Sequence, residues 1–366
     1  MPFAIDIEHT VLYNAFVYGE ILAGCRQISP KTDGVFMLSR EARKELKLKK
    51  KMTKEYIEAL NPKSDKEKAR EFFRTIYKNG FFYIILIPAV VLLLIFAYKP
   101  MYGIVIAFKD FQPRKGIMGS DWVGFSVFEQ LFQLDLFGKA FRNTIVINLL
   151  KLVIGFPTSI ILAIMINALH NKIFKNTIQT IVYLPHFVSW VVVAGIIFSL
   201  FDDRNGVLYK FFSLFGTVNV FSDGAQFITL LIVSDIWKEV GWGAIIYLAA
   251  LSGVSADLYE ASSLDGANSV QQLFHVTLPQ ILPTISIMLI LRVGGLIGGG
   301  FDQIYNLYNT TVYEYADVLD TFIYRYGIGD GQFEIGTAVG LFTNIINIVL
   351  LLGANKVVEL INKVEG

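Results

Sequence analysis

Long apolar stretches separated by short polar segments dominate most of this chain. Six of them hold about 20 mostly apolar residues, the length that an α-helix needs to cross a hydrocarbon core of about 30 Å. They lie at about 81–99, 144–168, 178–200, 227–251, 281–301 and 336–354. The pattern predicts an all-α membrane protein with six transmembrane helices.

The composition supports a bilayer protein and argues against metal chemistry. Of the 366 residues, 54% are hydrophobic, and the mean hydropathy is +0.52, which is too apolar for a soluble domain of this length. A single cysteine, Cys25, excludes an internal disulfide. The histidines are too scattered for metal-ligand spacing; they are His9, His170, His186 and His275.

Residues 1–79 form a separate charged region with 16 Lys/Arg and 11 Asp/Glu. We predict a basic cytoplasmic extension here, followed by a transmembrane domain at 80–366. The first 25 residues contain apolar positions with the spacing of an amphipathic helix that would lie on the membrane or on a partner. These positions are Val11, Ala15, Tyr18 and Leu22. A loosely ordered extension is the alternative interpretation.

The orientation in the membrane depends on how the basic residues are distributed. Asp6 and Glu8 stand where a signal peptide carries basic residues, so the first span is expected to act as its own insertion signal. Apart from 1–79, the loops carry four Lys/Arg on one side and nine on the other, which alone would place the side with nine inside. However, basic residues crowd the start of the first span, and that span usually dominates topology. We therefore predict cytoplasmic N- and C-termini.

A polar segment, EASSLDGANSVQQLFHVTLP at 260–279, separates the fourth and fifth spans. Leu258–Leu264 is predicted to form two helical turns. Asp265 and Gly266 then supply a stop, because glycine tolerates the left-handed conformation that ends a helix. The chain should therefore turn sharply at this glycine.

A second short helix is expected directly after the turn. Ser269 followed by Gln272 has the spacing of a capping box, which predicts a helix start. Pro279 and Pro283 are expected to end this helix and to set the entry into the fifth span. The result is a helix, a glycine elbow and another helix.

The charges of the elbow indicate a protein partner. It carries Asp257, Glu260 and Asp265, with no Lys or Arg between 252 and 280. A helix that lies on lipid usually has basic residues on its polar face, whereas carboxylates accept charge-assisted bonds from a basic partner. We interpret the elbow as a segment that docks into a basic cleft of a partner protein. An amphipathic loop that lies on lipid is the alternative.

The quoted segment, followed by Pro283, closely resembles the EAA motif of permease subunits of type I ABC importers, the maltose-transporter class. The resemblance implies a six-helix permease fold in which a coupling helix, within 252–283, docks into a groove of an ATPase subunit. The residues that it assigns to this coupling are Glu260, Ala261, Asp265, Gly266, Ala267, Phe274, Leu278 and Pro279. Ser262 stands where the family commonly has alanine, which is a mild departure.

Other stretches extend the resemblance over about 80–366. KPMYGIVIAFKDF and GFDQIYNLYN are similar to the oligosaccharide branch that is related to alginate and pectin-fragment importers. The similar stretches lie at 99–111, 183–206, 235–261, 300–309 and 338–342. Gln303 and Tyr305, in the second of the two quoted stretches, are included in the expected substrate pathway.

The absence of a GxxxxGK[ST] motif predicts that this chain is no enzyme and binds no cofactor itself. The resemblance implies that ATP and Mg are bound by two copies of a partner ATPase. It also implies a second homologous permease subunit and an extracellular or periplasmic solute-binding protein. The expected ligand is an oligosaccharide and the expected location is the bacterial plasma membrane, in contact with lipid and with no nucleic acid.

Arg292 lies midway along the predicted fifth span, where an arginine costs about 2.5–3.5 kcal/mol on insertion scales unless it faces a polar cavity or a partner. The run GGLIGGG at 294–300 follows it and permits bending. One interpretation is that Arg292 faces the substrate; the other is an ion pair with an acidic residue of the fourth span. On the first, a guanidinium suits a carboxylate, which predicts uronic-acid oligosaccharides.

Further polar residues lie within the predicted spans. Asp235, Lys238 and Glu239 of the fourth span have a spacing that allows local pairing. Polar residues of the second and sixth spans either line the cavity or bond between helices; they are Asn148, Lys151, Asn344 and Asn347. We include Asp235, Glu239, Asn148 and Asn344 with Arg292 in the substrate pathway.

Two tryptophans, Trp237 and Trp242, lie close to the charged residues of the predicted fourth span. Trp237 and Trp242 could stack on sugars, but we favour a place at the membrane interface.

An ion-coupled secondary carrier could use Asp235, Glu239 and Arg292 as a charge relay. An intramembrane enzyme would need a nucleophile with a base or a metal cluster, and the sequence offers neither.

Overall fold

The computed structural model describes residues 65–364. The predicted amphipathic helix within the first 25 residues lies outside this range. The chain divides into two units, Met1–Val90 and Val91–Gly366, and each is considered by itself.

The described part of the first unit is helical. Helix α1 spans Asp65–Lys78, and α2 spans Gly80–Leu93 and crosses the boundary between the units. The turn at Asn79 hardly interrupts the hydrogen bonding, since its N–H donates to the Thr75 carbonyl at 3.0 Å. The charged α1 therefore leads directly into the first apolar helix.

The second unit is also mainly helical. Its α-helices are α3 Lys99–Met101, α4 Gly116–Gly119, α5 Ser126–Gln133, α6 Asp135–Leu150, α7 Phe156–Asn167, α8 Lys172–Tyr183, α9 Trp190–Leu200, α10 Val207–Ser213, α11 Gly224–Leu251, α12 Ala256–Leu264, α13 Ser269–Gln272, α14 Leu278–Gly294, α15 Phe301–Leu307, α16 Tyr313–Ala316, α17 Leu319–Phe322 and α18 Phe333–Val364. π-Helical turns lie at Leu94–Tyr98, Lys151–Gly155, Leu273–Thr277 and Ile323–Gly329, and 3₁₀ turns at Tyr102–Phe108 and Leu184–Phe187. Two short strands, β1 Lys109–Asp110 and β2 Asp121–Trp122, pair antiparallel.

Length and composition fit a membrane protein. Four helical stretches are long and apolar enough to cross a bilayer, and two bent pairs of helices raise the number to six within the described residues. The four stretches are Gly80–Phe108, Asp135–Asn167, Ser269–Gly294 and Phe333–Leu360. Many large apolar side chains on them are exposed, as expected where lipid replaces water. The predicted all-α fold class is confirmed.

The third predicted span is not one helix. A continuous helix over 178–200 was expected, but the chain bends by 100° between Lys172–Phe187 and Trp190–Leu200. Pro185 lies in the 3₁₀ turn, and the Ser189 hydroxyl caps α9 by accepting from the Val192 N–H at 3.4 Å. Proline and a serine cap are local stop and start signals, and together they override the apolar pattern.

The fifth span begins earlier and ends earlier than predicted. Pro279 and Pro283 do not end the short helix, because α13, a π-helical turn and α14 form one helical stretch over Ser269–Gly294. In the π-helical turn the Leu278 N–H donates to the Leu273 carbonyl, five residues back. This wider turn lies just before Pro279, which lacks an N–H and lies in the first turn of α14, where none is needed, whereas Pro283 lies within α14. The glycine run then ends the helix at Gly294 rather than near 301.

Three apolar clusters form the core of the second unit. The first joins α6, α9, α11, α15 and α16, and the second joins the Tyr102–Phe108 turn with α5, α6, α17 and α18. The third joins α7, α11 and α14. Helices α6 and α11 each belong to two of these clusters, so these two helices connect the three parts of the core.

Gly241 of α11 permits a very close approach between helices. A Cβ atom added at this position would overlap the backbone carbonyl of Val182, at the end of α8. We expect Gly241→Ala to lower the stability of the folded protein by about 1–3 kcal/mol or more, because backbone cannot move aside as a side chain can. The thermal melting temperature of the purified protein in detergent measures this loss.

Gly138→Ala is the matched control. Gly138 lies in α6 with nothing within 4 Å of an added Cβ, so alanine there should leave the melting temperature unchanged or raise it slightly. Equal melting of the two variants would show that the contact at Gly241 is not tight.

Candidate functional site

The segment between the fourth and fifth spans folds as an elbow. The Ser255 hydroxyl caps α12 by accepting from the Asp257 N–H at 3.2 Å. Gly266 has φ +81°, the left-handed conformation expected at the stop. Behind it, the Gln272 side chain donates to the hydroxyls of Ser262 at 3.1 Å and Ser263 at 2.8 Å, which joins the two arms.

The predicted capping box is present but one residue earlier in the chain. Asn268 rather than Ser269 is the N-cap: its side chain accepts from the Gln271 N–H at 2.9 Å, and the Gln271 side chain accepts from the Asn268 N–H at 2.8 Å. Asparagine caps a helix as well as serine does. Both pairs have the same spacing, so the sequence alone could not separate them.

The elbow presents acidic and apolar groups outward. Asp257, Glu260 and Asp265 are exposed and form no ion pair in the part of the chain that the structure describes. Leu264 is 90% exposed and Phe274 60% exposed. Exposed apolar knobs beside unpaired carboxylates are typical of a docking surface.

The other residues predicted for coupling differ in their exposure to solvent. Ala261 and Pro279 are exposed, whereas Ala267 and Leu278 are half-buried. Between the arms lies a concavity of about 290 Å³ whose wall includes Asp265, Gly266 and Ala267. All eight residues predicted for coupling therefore lie on one short stretch of folded chain, from Glu260 in α12 to Pro279 at the start of α14.

A polar cavity of about 420 Å³ lies where α6, α9, α11 and α14 meet. Its wall includes five of the seven residues predicted for the substrate pathway. They are Asn148, Asp235, Glu239, Arg292 and Gln303. The α-helices, the π-helical turn at Lys151–Gly155 and the glycine run together bring these distant residues to one place.

Asp235 is paired across two helices rather than along its own. Asp235 does not pair with Lys238 of its own span, and the Lys151 ammonium instead lies 3.0 Å from the Asp235 carboxylate. Lys151 also donates to the Gln303 side chain, whose amide in turn donates to the Ser234 hydroxyl at 2.9 Å. Opposite charges in contact reduce the cost of holding both inside a span.

Glu239 is held by a second network. It accepts from the buried Lys238 ammonium at 3.1 Å and contacts His186 Nδ1 at 2.8 Å. Lys238 also donates to the His186 carbonyl at 2.8 Å and lies 5.5 Å from the ring centre of Trp190. Trp242 stacks on the His186 ring at 4.4 Å. The carboxylate is therefore neutralised and fixed in place.

Arg292 differs from the other charges of the cavity wall. Arg292 is exposed. Within residues 65–364 its side chain forms no ion pair and no hydrogen bond. The acidic residues that could have paired with it, Asp235 and Glu239, have other partners. With those pairs neutral, the cavity keeps one uncompensated positive charge, and a guanidinium can bind a carboxylate in bidentate fashion.

Of the other residues predicted for the substrate pathway, some form hydrogen bonds between helices and others lie on the surface. Asn148 bonds between helices, donating to the Leu296 carbonyl at 2.8 Å, and also lines the cavity. Tyr305 and Asn344 are exposed and are not part of the cavity wall. The side chain of nearby Asn347 holds the backbone of Ile297: it accepts from the Ile297 N–H at 3.0 Å and donates to the Ile297 carbonyl at 3.1 Å.

Sequence reasoning missed His186 and Trp190 as parts of this site. His186 is 53 residues from Glu239, and no spacing rule joins positions so far apart. The break at Ser189, which places Trp190 in the cavity wall and His186 against Glu239, was itself hidden by the apolar pattern. A charged residue within a predicted span implies a partner of opposite charge or a polar contact. Which residue is that partner could be found only from the tertiary structure.

A second, larger cavity has a different character. It measures about 800 Å³, lies between α9, α10 and α11, and includes Trp237 in an almost wholly apolar wall. Such a wall offers few polar groups with which to orient a sugar. The polar cavity is therefore the better candidate for a hydrophilic ligand.

The segment between the fifth and sixth spans is tied to the rest of the unit by polar contacts. Asn143 of α6 donates to the carbonyls of Glu314 at 3.0 Å and Asp317 at 3.1 Å. A hydrogen bond from the Lys139 ammonium, at 2.9 Å, lowers the pKa of the Glu314 carboxyl. Burial raises the pKa of Asp320, and the bond that it accepts from the Gly299 N–H at 2.7 Å partly opposes this shift.

This chain resembles known proteins in both sequence and structure. A protein family described as "Binding-protein-dependent transport system inner membrane component" matches residues 155–362. Protein LplB of Bacillus subtilis is 41% identical over 284 residues, which cover 77% of this chain and 89% of that protein. The polygalacturonan/rhamnogalacturonan transport system permease protein YteP of Bacillus subtilis is 39% identical over 296 residues, which cover 80% and 92%.

Two solved structures show the same fold. One is a bacterial ABC transporter involved in the import of the acidic polysaccharide alginate, with a TM-score of 0.73, 39% identity and coverage of 79% of this chain and 98% of that one. The other is a bacterial alginate ABC transporter in complex with an alginate pentasaccharide-bound periplasmic protein, with a TM-score of 0.72, 39% identity and coverage of 78% and 96%.

Proposed function

The chain belongs to the family of binding-protein-dependent transport system inner membrane components, and from this premise we propose that it carries acidic oligosaccharides through the membrane for an ATP-driven importer. It is a multi-pass permease of the carbohydrate ABC importer class, which is a transport subunit. The acidic cargo, the coupling to an ATPase and the residues involved are our proposals.

The observation that carries the proposed cargo is the uncompensated Arg292 in the wall of the polar cavity. Asp235 and Glu239 are each held by a lysine, so they do not cancel the charge of Arg292. An anionic sugar would gain a charge-assisted hydrogen bond from the guanidinium, whereas a neutral sugar would gain a weaker one. Two similar proteins, one a polygalacturonan/rhamnogalacturonan transport system permease and the other an importer of the acidic polysaccharide alginate, support a uronic-acid cargo.

The elbow supports the proposed coupling to a partner ATPase. Its exposed carboxylates and apolar knobs suit a basic cleft with an apolar floor. The second arm of the elbow continues without interruption into the helix that carries Arg292, Ser269–Gly294. A displacement of the elbow would therefore move one wall of the cavity, and the π-helical turn at Leu273–Thr277 is the place in this helix where bending would be easiest.

The proposed assembly follows from this arrangement. This chain would pair with a second homologous permease. Two ATPase subunits that bind ATP and Mg would each bind one elbow, one on each permease. A solute-binding protein would deliver the sugar to the opposite face. With the N-terminus inside, the elbow lies in the cytoplasm and the segment between the fifth and sixth spans lies outside. ATP-driven closure would then favour one of two membrane states.

Purification of the intact transporter from its native membrane tests this function. We expect a uronic-acid oligosaccharide among the bound saccharides by mass spectrometry, and ATP hydrolysis that this sugar stimulates when its binding protein is present. Recovery of neutral sugars alone would contradict the acidic cargo. Uptake that survives ATP depletion and collapses with the ion gradient would instead favour an ion-coupled carrier.

A further inference from the structure

Lys238 of α11 lies behind the wall of the polar cavity rather than in it. The residue is 5% exposed and is not among those that line the cavity, whereas its neighbour Glu239 is. Lysine is almost never buried to this extent unless its ammonium is paired. The partners of this lysine therefore indicate what its burial serves.

Three contacts surround the Lys238 ammonium. It donates to the Glu239 carboxylate at 3.1 Å and to the His186 carbonyl at 2.8 Å. It also lies 5.5 Å from the centre of the Trp190 ring, within the range of a cation–π contact. Together these contacts compensate the ammonium for the water that it has lost.

The same contacts connect α11 to the part of the third span where the chain bends. His186 lies in the 3₁₀ turn before the bend, and Trp190 begins α9 after it. Trp190 and Glu239 both line the cavity. Lys238 therefore contacts two residues of the wall from behind and helps to fix their positions.

Lys238 is the permanent counter-charge of Glu239. The other group that contacts this carboxylate, His186 Nδ1 at 2.8 Å, is a cation only when the imidazole is protonated. The Glu239 side chain is 26% exposed and lines the same cavity as Arg292. Without the lysine, its negative charge would repel an anionic sugar and oppose the attraction of Arg292, because charges interact strongly where the dielectric constant is low.

We propose that Lys238 is a positioning and specificity-determining residue, which keeps the cavity attractive to acidic sugars by neutralising Glu239 and does not itself touch the sugar. Arg292 supplies the attraction, whereas Lys238 prevents a wall carboxylate from cancelling it. This inference rests on the proposed function. It assigns part of the selectivity to a charge that the ligand never contacts.

Two single variants with opposite expected effects test this role. The quantity to measure is the ratio of uptake efficiencies for fluorescently labelled trigalacturonate and for the matching neutral trisaccharide of galactose, in cells that carry the intact transporter. We expect Lys238→Met to lower this ratio roughly tenfold, because Glu239 loses its counter-charge. Glu239→Gln should raise the ratio about threefold, because the charge of Lys238 is then uncompensated. The double variant Lys238→Met/Glu239→Gln should return the ratio close to that of the wild type.

The signs of these effects separate a role in charge balance from a role in packing alone. If Lys238 only held the bend in place, both single variants would disturb the wall, and the double variant would transport no better than either. A ratio that falls in both single variants, or changes in neither, would overturn the proposal. Lys238→Arg keeps the charge and should stay near the wild-type ratio, as should Lys172→Met, at an exposed lysine of α8 outside the cavity wall.

The melting temperature of each purified variant in detergent shows whether it is folded. If Lys238→Met does not fold, Glu239→Gln decides alone, and a ratio that does not rise in that variant overturns the proposal. A wild-type transporter that carries neither trisaccharide would contradict the proposed function itself. Wild-type uptake of both sugars with equal efficiency would contradict the acidic cargo, whereas an acidic preference that both single variants retain unchanged would contradict the role of Lys238 alone.

Discussion

Gly266→Pro is expected to abolish substrate-dependent ATP hydrolysis and uptake while the protein still inserts into the membrane. Gly266 has φ +81°, whereas proline is fixed near −65°, so the elbow must open or distort. The substitution also removes the backbone hydrogen bond that Gly266 donates to the Ser263 carbonyl at 3.1 Å. The two arms could then no longer enter one cleft together. Hydrolysis by the purified complex, with and without sugar, measures the effect.

Gly116→Pro is the matched control for this substitution. Gly116 also has a positive φ, +68°, an N–H bonded to a backbone carbonyl at 3.0 Å, and open space at its Cβ position. It lies far along the chain from the elbow, so backbone strain alone is tested there. If both proline variants lose coupling equally, the effect is general strain and the docking role is contradicted.

The acidic side of the elbow is tested in the same assay. Removing a side chain that anchors an interface typically costs about 2 kcal/mol or more, so Glu260→Ala should lower stimulated hydrolysis roughly thirtyfold. Glu129→Ala, at an exposed acidic residue of α5, should have no such effect. Normal stimulated hydrolysis by the Glu260 variant would show that this carboxylate does not contact the ATPase.

Arg292→Met is expected to cause a selective loss of acidic cargo. A hydrogen bond to a charged group contributes about 1.5–3 kcal/mol, so the uptake efficiency for trigalacturonate should fall between about tenfold and a hundredfold. Efficiency for a neutral trisaccharide should change much less, because it has no carboxylate to lose the contact. The ratio of the two efficiencies is the quantity to measure.

Two further variants separate charge from geometry. Arg292→Lys keeps the charge but loses the bidentate geometry and should give an intermediate ratio. Arg204→Met removes an exposed arginine outside the cavity wall and should leave the ratio unchanged. An unaltered ratio in Arg292→Met would return that residue to a structural role.

The periodicity of apolar residues and a few local signals were enough to predict much of this protein. The helical membrane fold followed from stretch length, and the turn at Gly266 followed from a glycine after two helical turns. Both depend on interactions between residues close in sequence, so a single sequence contains the information. The same reasoning was wrong where two local signals competed. At Ser189 a helix cap divided an apolar stretch that predicted one helix. At Pro279 a π-helical turn allowed the helix to continue where the proline predicted its end.

The charge balance of the cavity could not be obtained in this way. The sequence placed Asp235, Lys238 and Glu239 in one span and suggested that they pair locally. The structure pairs Asp235 with Lys151 of another helix and Glu239 with Lys238 and His186, which leaves Arg292 alone. The sequence by itself thus determined the class of fold and the elbow, because helix length, capping and turns are local. Only the tertiary structure decided which charges neutralise one another, because that depends on which helices lie side by side.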